Sequence, residues 1–377
     1  MTDFEEAFGS LFTVNMGVRP GERIVVFSDT IRDDEHPSPD DRERRERLFA
    51  AAGGASRFAA ATYGDTCFEQ FPATSGSGAE PPEHLWRAVF GDAIVDSLAA
   101  AGLLKRLIAK EASTDDLAAA REMVVAGREA VAEVVVALAN NSTSHTRFRA
   151  LANAAGTRYA SLPHFDPAMF FTSMQVDWLA LAERTRLLGE AVNRAVELLV
   201  TTSNGTQMRF GKQGRIAKGD DGLLTMPGSF GNLPAGEVYL APLEGTASGT
   251  MVLEYAPTRK LVTPLTLIVE NGEVVDIRGD EPHREILERK FAESRLNRNI
   301  AELGIGTNDR ASRPDNILEA EKILGTIHIA LGDNAGFGGR ISTPFHEDYV
   351  FYKPTVTAVD ANGTQELLIA KGTLLVR

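Results

Sequence analysis

The periodicity of the chain changes once, near Asp177, and that change limits the fold more than any single residue does. Before it, short apolar runs alternate with long helical patterns. "RIVVFS" at 23–28, "AEVVVALAN" at 132–140 and "TRYASLP" at 157–163 read as strands. Helical patterns occupy 1–16, 84–109, 113–131 and 144–156, and the acidic loop after Thr30 becomes another helix capped by Ser38 or Asp40. Strand, helix and strand in alternation predict a parallel sheet with helices on both faces. After Asp177 one long helical pattern, 178–200, leads into a succession of short β patterns. Asn204-Gly205 and Asn271-Gly272 mark tight hairpin turns there. Helices are few, at 282–296 and 317–323. The expected fold class is α/β. An N-terminal α/β domain with a mostly parallel sheet spans 1–180, and a C-terminal β-rich α+β domain spans 181–377. The boundary falls within about 175–190.

Composition narrows the function. The 377 residues carry a formal net charge of −13, which repels phosphate backbones and argues against nucleic acid as a partner. A single cysteine, Cys67, excludes an internal disulfide and a thiolate zinc cluster, and it reads as a buried apolar residue. The start, MTDFEEAFGSLF, lacks the basic and apolar segments of a secretory signal, and no apolar stretch reaches the ~20 residues that span a membrane. A cytoplasmic protein that does not act at a membrane is expected.

The residues that carry chemistry cluster late in the chain. His346 and Asp348 stand two apart in a β pattern, so both side chains face the same side. His328 lies in "GTIHIAL", another β pattern. Two histidines and a carboxylate form a known metal constellation, that of non-haem iron included. "PHFDP" repeats the His-x-Asp spacing with His164 and Asp166, so the triplet alone is weak. Glu237 and Glu302 sit in semi-apolar β contexts, where an ionised carboxylate needs a partner or an ion. Glu319 and Glu321 lie shortly before His328. "GDNAGFGG" lacks the Gly-Lys-Ser/Thr ending of a phosphate loop, so its glycines read as tight turns beside the site. His36, His84, His145 and His283 read as solvated.

The blocks "NLPAGEVYLAPLEGTASG", "IAELGIGTN", "NILEAEKILGTIHIALG" and "HEDY", in that order, with the hairpin "VTTSNGTQMRFG" before them, resemble the metal-dependent aminopeptidases named for the thermophilic enzymes aminopeptidase T and aminopeptidase S. The resemblance implies a two-metal hydrolase that removes N-terminal residues from peptides, and a homodimer. Its metal ligands would be Glu237, Glu302 as the bridging carboxylate, Glu321, His328, His346 and Asp348. Glu302 or Glu321 would shuttle the proton. The ions would be zinc, cobalt, manganese or magnesium. Two departures stand out. Glu321 lies two residues further from His328 than the family's usual spacing, and Ala335 replaces a tyrosine that assists the family's chemistry. The same superfamily resembles an iron(II)-dependent ring-cleaving dioxygenase acting on dihydroxypyridine, a small-molecule substrate. That chemistry would need only His328, His346 and Asp348. A non-catalytic member that keeps the fold is the third reading.

Overall fold

Apolar runs that are buried on both faces build the first sheet. The structure, a computed structural model, describes residues 2–257, 259–314 and 316–376. The chain divides into two compact units, Met1–Gln175 with Gly222–Pro234, and Val176–Asp221 with Ala235–Arg377. In the first unit five parallel strands run in the order Thr66–Pro72, Ile24–Thr30, Val134–Ala137, Arg158–Ser161, Phe230–Asn232. The three apolar runs recognised from sequence supply its centre. The two outer strands, Thr66–Pro72 and Phe230–Asn232, carry no such pattern and were not expected.

The helices of this unit follow their capping residues. Ser38 starts Pro39–Thr62 by accepting from Asp41 N, and Ser113 closes a capping box with Asp116 at the head of Thr114–Ala126. The N-terminal helical pattern begins at Thr2, residue 1 lying outside the described residues. It runs as α-helix Thr2–Gly9 and then as π-helix Ser10–Asn15. The pattern at 84–109 is not one helix but three: Glu83–Phe90, Asp92–Ala100 and Leu103–Ile108. Its apolar period continues unbroken, but Gly91 and Gly102 take φ of 78° and 69°, which breaks the helix at both points.

In the second unit the helical pattern at 178–200 is divided. The helix Trp178–Arg194, capped by Asp177, ends before the strand Glu197–Thr201. That strand joins an antiparallel eight-stranded sheet. A second antiparallel sheet has the order His346–Phe351, Ile327–Gly332, Ile300–Gly306, Glu237–Leu240, Lys218–Asp220. The pleat sorts its residues. Val238, Leu240, Leu303, Ile305, Ile327, Ile329, Leu331, Tyr349 and Phe351 enter one apolar core with the eight-stranded sheet and with Leu188, Ala191 and Val192 of the helix. The alternate positions, Glu237, Tyr239, Glu302, Gly304, His328 and Asp348, therefore share the other face.

His283 departs from expectation. It is 5% exposed at the start of the helix His283–Glu293, and its Nε2 lies 2.9 Å from the Tyr349 hydroxyl. The polar sequence around it hid a side chain that packs on the second sheet. No helix among the described residues is long and apolar enough to cross a membrane.

The first unit's core rests on a ring cluster. Phe148 meets Trp86, Phe90 and Tyr159 at centroid distances of 5.5, 5.6 and 6.4 Å, and all four are fully buried. Phe148→Ala is expected to destabilise this unit by ~3–5 kcal/mol, read as a shift in the urea unfolding curve followed by tryptophan fluorescence.

Candidate metal centre

Cross-strand register brings the polar face together. His328 lies opposite Gly304, Glu302 opposite Ala330, Ala330 opposite Asp348, and Gly332 opposite His346. His328 Nε2 is 3.3 Å from Glu237 Oε2 and 3.4 Å from Glu302 Oε1. His346 Nε2 is 3.6 Å from both Glu302 Oε2 and Asp348 Oδ2. Glu321, at the end of the short helix Ile317–Ala320, joins His328 and Asp348. Three overlapping groups result: Glu237, Glu302 and His328; Glu302, His346 and Asp348; Glu321, His328 and Asp348. Within each group the donor atoms lie within 4.8 Å of one another. All six residues singled out from sequence thus converge. Glu319 does not join them, because its Oε1 accepts from Ser312 N and Arg313 N. His164 and Asp166 form no such group among the described residues, and Asp166 instead caps the turn Pro167–Phe171.

The donor atoms suit a cation. Glu237 Oε2, Asp348 Oδ1 and His328 Nδ1 are buried and make no hydrogen bond among the described residues, a costly state for polar atoms. The separations of 3.3–3.6 Å are long for hydrogen bonds. They match two donors that each approach one ion to ~2.1 Å, which stand ~3.0–3.5 Å apart. His346 Nδ1 donates to the Asp333 carbonyl at 2.8 Å, and a carbonyl can only accept. That bond keeps a proton on Nδ1, so Nε2 is the nitrogen that binds an ion on the cluster side once its own proton is released. Gly304 makes room for His328: a Cβ there would stand 2.1 Å from the ring Nε2.

Charge is concentrated here. Burial alone would lower the His328 pKa, but Glu302, Glu237 and Asp348 outweigh it and push it up to about 10. Burial is likewise outweighed at His346, where Asp348 and Glu302 raise it to about 10. Burial lifts the Glu302 carboxyl above its usual range and pushes Glu321 up to about 7. The two imidazoles overcome burial at Asp348 and hold it at about 2.

Three neighbours were not anticipated from sequence. Lys322 Nζ lies 2.5 Å from Glu237 Oε1 and 2.9 Å from Glu321 Oε1, with Asp220 Oδ2 at 4.0 Å. Burial opposes its charge, but Glu237 and Glu321 raise its pKa well above the ordinary lysine value. Phe337, within the glycine-rich loop, stands edge-on to His346 at 6.0 Å and to Tyr239 at 5.9 Å. Burial and then Glu237 raise the Tyr239 phenol above its usual range. The loop is closed around Asn334, whose side chain accepts from Ile341 N and fills the space where a Cβ on Gly339 would stand.

A partly buried set of two imidazoles and four carboxylates that could hold a metal ion, on this architecture, defines a metal-binding enzyme fold. The family follows from the chain itself. The family described as NicX: 2,5-dihydroxypyridine 5,6-dioxygenase matches residues 104–374, and this chain belongs to it. Two solved structures share the fold. One is the 2,5-dihydroxypyridine dioxygenase from Pseudomonas putida KT2440, with TM-score 0.68, 18% identity, and coverage of 99% of this chain and 97% of that one. The other is wild-type AmpT from Thermus thermophilus, with TM-score 0.59, 15% identity, and coverage of 100% and 99%. At these identities both show the fold alone. No curated protein sequence matches the chain. The likeness to the thermophilic aminopeptidases is thus one of fold, and the family is the dioxygenase's.

Two outcomes are expected. Gly304→Ala displaces the His328 ring and lowers divalent-metal affinity by at least about 100-fold, with far-ultraviolet circular dichroism unchanged. Both imidazoles, raised to about 10, are protonated in the ion-free protein at pH 7.5, and only a deprotonated nitrogen binds a metal. Metal uptake at that pH therefore releases about two protons, and affinity rises with pH up to the raised pKa. Calorimetry in buffers of different ionisation enthalpy counts them.

Proposed function

We propose that the chain is a ring-cleaving dioxygenase that acts on a hydroxylated pyridine and uses one iron(II) ion held by His328, His346 and Asp348. The observation that carries the reading is the donor set itself. His328 and His346, on adjacent strands, each share a group of donor atoms with Asp348, in a chain whose family is described by that reaction. Iron(II) held there would supply the one-electron chemistry that lets dioxygen react with an electron-rich ring.

The surrounding residues have identifiable tasks. Asp333 fixes the tautomer and direction of His346 through its carbonyl. Phe337 offers aromatic surface beside His346, with Tyr239 on it in turn, suited to a planar ring. The Tyr239 phenol keeps its proton throughout the physiological range and so acts as a hydrogen-bond donor. Glu321, pushed up to about 7 by burial, is placed with His328 and Asp348 and can accept the proton of a ring hydroxyl. The hydrolytic reading is less well supported. It needs a second ion, and Ala335 stands where its family has a tyrosine.

The test is oxygen uptake with 2,5-dihydroxypyridine after anaerobic loading with iron(II). The expected result is consumption of one dioxygen per substrate. Turnover should fall by more than about 100-fold in both His346→Ala and Asp348→Ala, beyond what loss of a merely supporting partner costs. Release of N-terminal residues from peptides by zinc- or cobalt-loaded protein, with no oxygen uptake by the iron form, would overturn the proposal.

A further inference from the structure

The acidic side of the cluster contains a cation supplied by the chain. Lys322 is 2% exposed, and its Nζ sits 2.5 Å from Glu237 Oε1 and 2.9 Å from Glu321 Oε1. The opposite oxygen of Glu237 lies 3.3 Å from His328 Nε2 and makes no hydrogen bond. Glu237 therefore presents one oxygen to the ammonium and the other to the His328 side. A carboxylate between two metal ions is divided in the same way. Glu321 is arranged alike, with an oxygen on the ammonium and a place in the group with His328 and Asp348.

We propose that the Lys322 ammonium occupies the second cation position of this face, so that the cluster holds one divalent ion where the same carboxylates without the lysine would hold two. The inference rests on the one-ion reading of His328, His346 and Asp348 and adds what enforces it. An ammonium and a divalent ion cannot share one position: they would compete for the same two oxygens and repel each other. The lysine is also held by its backbone. Its carbonyl accepts from Asn308 N at 2.9 Å, and the neighbouring main chain passes so close to Gly306 that a Cβ there would meet the Ile323 carbonyl at 2.1 Å. The ammonium is therefore a fixed part of the site. It donates in the directions a metal would fill, and it brings one positive charge instead of two.

The experiment counts ions. Full-length protein is stripped by chelator, equilibrated with Mn2+, freed of excess by gel filtration and analysed for metal, with electron paramagnetic resonance of the bound Mn2+ as a second reading. The wild type should hold one ion per chain with an isolated Mn2+ signal. Lys322→Met should hold two with an exchange-coupled signal, and Lys322→Arg should hold one. The double variant Glu237→Gln with Lys322→Met loses the bridging carboxylate with the cation and should hold one. One ion with an isolated signal in Lys322→Met overturns the role of the lysine and leaves the one-ion reading standing. Two ions in the wild type overturn the one-ion reading itself. Should Lys322→Met be unfolded without metal, refolding with two equivalents of Mn2+ supports the proposal. Failure to refold at any Mn2+ concentration counts against it, because a divalent ion then does not replace the ammonium.

Discussion

Gathering Glu237, Glu302 and Asp348 on one face of a sheet, with Glu321 brought beside them from the short helix Ile317–Ala320, creates a mutual repulsion that only positive charge can relieve. Much of the second unit is arranged around that requirement. The pleat sends Leu303, Ile305, Ile327 and Ile329 into the core and leaves the carboxylates and imidazoles on the opposite face. Gly304 gives up its side chain so that His328 can lie flat among them. The Asp333 carbonyl turns His346 inward. Lys322 enters from the segment just before the His328 strand, with its main chain held by Asn308. Each feature brings a positive or metal-binding atom toward the acids, or clears space for one.

The elements legible in the sequence were those whose pattern has one physical interpretation. His346 and Asp348 could be paired because a strand repeats every two residues, and His328 stood out as a histidine inside an apolar run. The parallel strands at Ile24–Thr30, Val134–Ala137 and Arg158–Ser161 were visible as buried apolar runs. Other elements were hidden by patterns with two interpretations. "VELLV" continues the helical period of the residues before it, yet it is the strand Glu197–Thr201. Gly91 and Gly102 interrupt no apolar spacing, although they end helices. Lys322 follows Glu319 and Glu321 in a run that reads as the solvated end of a helix, so nothing local marked it as buried.

The difference between hydrolase and dioxygenase is of the same kind. The blocks around Glu237, Glu302 and His328 encode the sheet and its acidic face, and the fold they build is similar to that of both solved structures. Under the one-ion proposal, the chemistry turns on how positive charge reaches that face, through side chains such as Lys322 and the loop around Phe337.

The strand Phe230–Asn232 has a consequence for the order of synthesis. It closes the parallel sheet beside Arg158–Ser161, but it is made after the strands Glu197–Thr201, Gln207–Gly211 and Lys218–Asp220 of the other unit. As the chain leaves the ribosome, Arg158–Ser161 waits as an open edge while roughly seventy further residues emerge, an interval in which an unpaired edge can add a strand from another chain. The two units cannot be cut apart at a single point without removing that strand from its sheet. A single cut would leave Arg158–Ser161 as a permanent open edge of the parallel sheet.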